Sequence, residues 1–344
     1  MFEKLYWEKA KDSFVWIEGK KYIDFTSSIF SQNFGHNNPY MIREVKKQLK
    51  KCSHAYGYNT KVKEEFIFRL QSVIGFDRVL LFSTGAEAIE AAMKIVIHSA
   101  FFPAGIKNSM HGRTLCSEHL SGKRFITNEI KNYDEIENIS DTITNRGFFI
   151  EGYRGYNCKL ISAEEIKKIK DLQKHNLIIF DEIQSGFYRT RRFFAYQSYN
   201  IFPDMVVVGK SLGGGFPISA ICYDSSNKNI NIDGLELTST HAGQPIQMAA
   251  GLGILKYIQE KFDWNKYTRN ISIIDHFFPD QFFGMVGAFH VEDEDKFYKY
   301  CLDRGLLVVP TGRNYIKIAP PVVIDEKTLF KGMEILKEAV YECK

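Results

Sequence analysis

Met205-Val206-Val207-Val208-Gly209-Lys210-Ser211-Leu212-Gly213-Gly214-Gly215 is a β-branched apolar run that stops on a lysine and breaks into a glycine triplet. Four apolar residues bounded by such a break read as a buried strand. A lysine held at its end loses hydration, which lowers its pKa and makes the neutral amine of Lys210 available as a nucleophile. Upstream, Leu177-Ile178-Ile179-Phe180 repeats the pattern and ends in Asp181-Glu182. Two such runs predict neighbouring parallel strands that carry an amine and a carboxylate to one edge of a sheet.

From about residue 78 outward, apolar runs alternate with helical stretches, the signature of an α/β sheet domain. Further strands are expected at Val79–Phe82 and 147–150. Residues 12–26 read as a hairpin turning at Glu18-Gly19-Lys20, and Gly35-His36-Asn37-Asn38-Pro39 leads into a helix through Val45 and Leu49. A helix is expected over 246–261. Strands follow at 285–291, 306–309 and 316–319, with a closing helix over 326–340. The simplest division is a large α/β domain, residues 40–250, with a mostly parallel central sheet flanked by helices. A smaller α/β domain would combine residues 1–39 with 251–344.

The 344 residues carry 44% hydrophobic and 25% charged side chains, ordinary proportions for a globular enzyme. The net charge of +4, from 45 basic and 41 acidic residues, is spread along the chain, so nucleic acid is not an implied partner. The apolar runs are far shorter than a membrane span, and Met1-Phe2-Glu3-Lys4 shows no signal-peptide pattern. Six cysteines lie scattered without metal-type spacing, which fits reduced thiols in the cytoplasm.

Ser83-Thr84-Gly85-Ala86-Glu87-Ala88 follows the first central strand and opens a helix, with Thr84 and Glu87 spaced as a capping box. Gly85 and Ala86 are small enough for a phosphate to approach the first-turn N–H groups, although a capped helix that binds nothing has the same pattern. Gly209-Lys210-Ser211 resembles the end of a nucleotide-binding P-loop. That motif requires a glycine where Asp204 stands and a flexible loop where 205–208 is an apolar strand, so an ATPase is excluded.

With these residues placed, the chain resembles the class-III aminotransferases, of the ornithine and acetylornithine branch, within the fold-type I family of pyridoxal-phosphate enzymes. The most specific stretch runs from Phe180-Asp181-Glu182-Ile183-Gln184-Ser185-Gly186 through Pro203-Asp204 to Gly209–Pro217. Asn108-Ser109-Met110-His111-Gly112-Arg113-Thr114, Thr240-His241-Ala242-Gly243-Gln244-Pro245 and Ile316-Lys317-Ile318-Ala319-Pro320-Pro321 extend the likeness along nearly the whole chain. The resemblance implies that Lys210 holds pyridoxal phosphate as a Schiff base and later moves a proton as general base. It implies that Asp181 pairs with the ring nitrogen and Gln184 bonds the ring's 3-oxygen. Gly85 and Ala86 would cradle the phosphate, with Met110 and His111 also at the cofactor. Thr240 would reach the phosphate from the second subunit of a homodimer. Arg113 would receive a substrate carboxylate, and Glu151 would stand near the cofactor in a catalytic or a structural role. The partners implied are a small amino donor, with glutamate fitting Arg113, and an aldehyde or keto-acid acceptor in a ping-pong transamination.

The chain departs from the family pattern where substrates are chosen. Met110 stands where an aromatic residue normally stacks on the cofactor ring. Tyr156 and Lys317 replace a glutamate and an arginine that together gate the substrate site, and Ile29 replaces the tyrosine of ornithine-specific members. Arg154 and Arg313 are near enough in sequence to stand in for the lost arginine. Racemisation, aminomutation or decarboxylation on the same fold, or a non-catalytic role, are the alternative expectations.

Overall fold

In the computed structural model, residues 5–123 and 130–343 are described; Met1–Lys4, where the absence of a signal pattern was noted, lies outside them. A four-stranded sheet holds the N-terminal strands β1 (Trp7–Lys11), β2 (Phe14–Ile17) and β3 (Lys20–Asp24). The central sheet is built from β4 (Arg78–Phe82), β5 (Phe102–Ile106), β6 (Lys131–Tyr133), β7 (Arg146–Glu151), β8 (Leu177–Asp181), β9 (Met205–Val208) and β10 (Ser219–Tyr223). The last third supplies β11 (Gly287–His290), β12 (Leu306–Leu307), β13 (Val309–Pro310) and β14 (Tyr315–Ile318).

The central order is β4-β10-β9-β8-β7-β5-β6, parallel from β9 to β6, with β10 antiparallel to both neighbours. β8 and β9 pair in parallel, as their apolar runs predict. Every residue of both strands is buried. Successive side chains of a strand alternate between the two faces. Phe148, Ile178, Phe180, Val206 and Val208 accordingly join one core, and Phe149, Leu177, Ile179, Met205 and Val207 the other. The helix Gly85–His98 contributes Ala88, Ile89, Ala92 and Met93 to the second core.

The hairpin turns through Glu18 and Gly19, both with positive φ (49° and 74°), the geometry that a tight two-residue turn between twisted strands requires. Its strand β3 pairs in parallel with β12, so the N-terminal strands and the last third share one sheet. β11, β14 and β13 form a third sheet. β10 lies between β9 and β4, which makes β4 an edge strand, and Ser219 Oγ ties β10 to the carbonyl of Thr84 at 2.7 Å. Among the described residues no helix is long and apolar enough to cross a membrane.

Candidate active site

Parallel pairing brings three charged side chains to one sheet edge. Glu151 and Asp181 close β7 and β8 in register with each other, and Lys210 follows two residues after β9. Lys210 sits at φ +42° in a short 3-10 turn that begins the glycine-rich connection to β10. Its amine is pulled down to about 8, first by burial and then by the charge of Lys317, while Asp181 and Glu151 oppose the shift.

Asp181 is held by two donors: His111 Nδ1 lies 2.8 Å from Oδ2, and the Ile183 N–H lies 3.0 Å from Oδ1. The adjacent Glu182 turns into the core, where Ser185 Oγ and the Tyr196 N–H donate to it at 2.6 and 2.9 Å. Burial lifts the Glu182 carboxyl to about 7. Two consecutive acids therefore differ in use, one beneath the cavity and one inside the fold.

A cavity of about 480 Å³ opens at this edge, walled by Lys210, Gly85, Ala86, Met110, His111, Gln184, Arg113, Lys317 and Ile29. Asp181, Glu151 and Thr240 do not line it. Asp181 lies buried behind the wall, bonded to His111, which does line it. Glu151 is buried: its Oε2 accepts the Gly155 N–H at 3.1 Å, and burial raises its carboxyl. Thr240 is exposed, and its carbonyl accepts from His54 and Gln244.

The phosphate seat differs in detail from the expected capping box. Thr84 Oγ1 accepts the Glu87 N–H at 3.2 Å, but the Glu87 carboxylate reaches back to the Ser83 N–H at 2.9 Å rather than to that of Thr84. Gly85 and Ala86 are the first residues of the helix, so their N–H groups have no intrahelical acceptor and remain available. Gly85 has a second constraint, because a Cβ there would come within 2.8 Å of Ile183 Cδ1. Ile183 itself lines the cavity, a role not anticipated from sequence, although its place between Asp181 and Gln184 was the available signal.

Three buried polar atoms at this edge lack a partner among the described residues: His111 Nε2, Gln184 Oε1 and Ser83 Oγ. Buried polar atoms left unpaired are costly, and their grouping beside an amine of lowered pKa and an open helix N-terminus marks a place for a polar ligand. These donors and acceptors fit pyridoxal phosphate: an amine for the aldehyde, N–H groups for the phosphate, and a buried carboxylate–imidazole pair for the ring nitrogen. Met110, 42% exposed, offers a thioether to that cavity in place of an aromatic face.

The two arginines that were candidates for the lost gate separate clearly. Arg154 is in an ion pair with Glu165 and does not line the cavity, whereas Arg313 does. Lys317 lines it too, but its Nζ donates to the Gly155 carbonyl at 2.8 Å and lies 4.9 Å from the centre of the Phe30 ring.

The chain matches the class-III aminotransferase family over residues 2–132 and 117–340. It is 28% identical to the acetylornithine aminotransferase of Archaeoglobus fulgidus over 358 aligned residues, covering 97% of this chain and 95% of that one. It is 29% identical to the [LysW]-aminoadipate semialdehyde/glutamate semialdehyde transaminase of Sulfolobus acidocaldarius, covering 96% and 94%. Among solved structures, the ornithine aminotransferase of Toxoplasma gondii superimposes with a TM-score of 0.89 at 22% identity, covering 99% and 91%. The acetylornithine aminotransferase of Elizabethkingia anophelis does so with a TM-score of 0.83 at 26% identity, covering 98% and 94%.

Proposed function

The chain belongs to the class-III aminotransferases, pyridoxal-phosphate enzymes of fold type I, and we propose from the geometry above how its residues divide the work. The reaction is a ping-pong transfer of an amino group from a donor to an aldehyde or keto acid. When bound, pyridoxal phosphate supplies a carbonyl that condenses with amines and a ring that accepts the electrons of the substrate Cα–H bond.

In this reading Lys210 would hold the cofactor through its ε-amine and would act as the general base that removes and returns the proton at the substrate carbon. Its depressed pKa keeps a useful fraction of the amine neutral near pH 7. Asp181 would keep a proton at the ring nitrogen, with His111, bonded to its Oδ2, holding that carboxylate in orientation. The Gly85 and Ala86 N–H groups would bind the phosphate, and Gln184 would orient the ring's oxygen. Arg113 binds a donor carboxylate: its exposed guanidinium lines the cavity and has no ion-pair partner among the described residues. These features support glutamate as donor.

Thr240 is exposed and does not line its own chain's cavity. Its exposure beside the edge-to-face rings of His54 and His241, with Tyr56 and Tyr58 also exposed, supports a homodimer in which it completes the partner's site. Six unpaired thiols support a cytoplasmic location.

The observation that carries the assignment is the lowered Lys210 amine facing a cavity lined by His111, the hydrogen-bond partner of Asp181. Borohydride reduction of the holoenzyme should fix the cofactor to the peptide containing Lys210. Adding glutamate should bleach the cofactor's visible band with stoichiometric release of keto acid. Cofactor fixed to any other peptide rejects the role of Lys210, and a band that no amino donor bleaches rejects this division of roles.

A further inference from the structure

Four basic side chains line the cavity, Lys210, Arg113, Arg313 and Lys317, and among the described residues no carboxylate lines it. Such a wall suits a substrate with more than one negative charge. Lys210 is reserved for chemistry in the reading given above. The question is which of the others is free to grip a second anionic group.

Lys317 is engaged. Its buried ammonium donates to the Gly155 carbonyl, while the Gly155 N–H donates to Glu151, so the two peptide units that flank the Gly155 Cα are each held by a charged side chain. Gly155 admits no side chain there, because a Cβ would lie 2.4 Å from Glu151 Oε1. The Lys317 amine thus props the cavity wall that carries Gly155 and Tyr156. Arg313 is in the opposite situation. It sits in the turn between β13 and β14, exposed, and has no ion-pair partner among the described residues. Its guanidinium carbon lies 5.5 Å from the centre of the Tyr156 ring. A guanidinium packed against an aromatic ring is pre-oriented while its edge N–H groups stay available, which suits bidentate binding of a carboxylate.

We propose that Arg313 is the receptor for the second carboxylate of a dicarboxylic substrate, with Arg113 receiving the first and Lys317 serving as a prop for the Gly155 peptide. This rests on the aminotransferase reading, and it makes Arg313 the residue that separates dicarboxylic from monocarboxylic substrates.

The test is equilibrium binding of glutarate and of butyrate to the holoenzyme by calorimetry, which requires no turnover. Arg313→Ala should weaken glutarate by about 10- to 100-fold, the range of a lost charge-assisted bidentate contact. Butyrate should change by less than about threefold, and Arg313→Lys should recover only part of the glutarate loss. The substitution leaves the fold intact, because it is the Arg313 backbone N–H, not its side chain, that bonds Glu294. Equal weakening of both probes, no weakening of either, or no saturable glutarate binding to the unsubstituted enzyme overturns the proposal. A separate readout protects the underlying reading: the unsubstituted holoenzyme should bleach its cofactor band when an amino donor is added. If it does while glutarate discrimination is unchanged, only the role of Arg313 fails.

Discussion

The Lys210 amine feels two opposed influences. Burial and then the Lys317 charge push its pKa down to about 8, and Asp181 and Glu151 push back. At pH 7 such an amine is roughly one-tenth neutral, against a few ten-thousandths for an ordinary lysine near 10.4. Only the neutral form attacks an aldehyde, so capture of pyridoxal phosphate by the apoprotein should slow as pH falls through about 8. Stopped-flow growth of the visible band would follow it. Replacing Lys317→Met removes a positive neighbour, so the Lys210 amine should hold its proton more tightly and the midpoint should move to higher pH. Because burial is the larger cause, the midpoint should stay below that of a free lysine. A midpoint that moves down, or not at all, shows that the Lys317 charge does not reach Lys210.

Helix–helix packing is set by glycines whose replacements would meet different obstacles. Gly253, in the helix Pro245–Lys261, lies against the helix Pro39–Leu49, and a Cβ there would come within 2.4 Å of Met41 Cα and 2.7 Å of Met41 N. Gly251 in the same helix would meet the Phe66 ring at 2.5 Å. A backbone cannot step aside and a ring can turn. Gly253→Ala should therefore cost about 1–3 kcal/mol or slightly more, and Gly251→Ala less, as measured by denaturant midpoints. The reverse order would contradict this packing argument. The same contrast between local and spatial information decides what was legible in the sequence. β8 and β9 could be read because each is a continuous buried run closing on a charge, and so Lys210 and Asp181 could be placed. β1 was hidden by its exposed Trp7-Glu8-Lys9 pattern, β5 by Pro103, and β10 because nothing local shows that Ser219–Tyr223 inserts between β9 and β4. Within the site, the engagement of Lys317 and Arg154 depends on Gly155 and Glu165, contacts that no spacing announces.

The three sheets meet at one side chain. Arg189 follows β8 of the central sheet by eight residues, is fully buried, and keeps its charge near neutral pH although burial draws its pKa to about 10. It donates to the carbonyl of Met285, just before β11, at 2.9 Å, and to that of Pro320, just after β14, at 2.5 Å. It also donates to Ser27 Oγ, shortly after β3, at 3.2 Å, and to Asn33 Oδ1. The segment it holds is strained: Ser27, Ser28, Ile29 and Phe30 have φ of 44°, 46°, 54° and 67° in succession. Left-handed backbone costs about 1–2 kcal/mol for each residue with a side chain, so such a run persists only where its surroundings over-determine it. Ser27 Oγ donating to Ala319 O, and Ser211 Oγ beside Lys210 donating to Phe30 O, complete the hold. Ile29 in that segment lines the cavity, so the buried guanidinium shapes the substrate wall from behind it. Arg189→Met strands several buried acceptors at once and should cost about 3–5 kcal/mol of stability. Arg189→Lys keeps the charge but loses the planar fork, and should cost less. The distribution of the damage is the sharper measurement. Hydrogen exchange in Arg189→Lys should quicken at residues 26–33 and 319–322 while β8 and β9 stay protected, because only the former depend on the lost donors. Uniform quickening across the central sheet would mean that Arg189 stabilises the molecule generally and does not specifically hold the strained turn against the cavity.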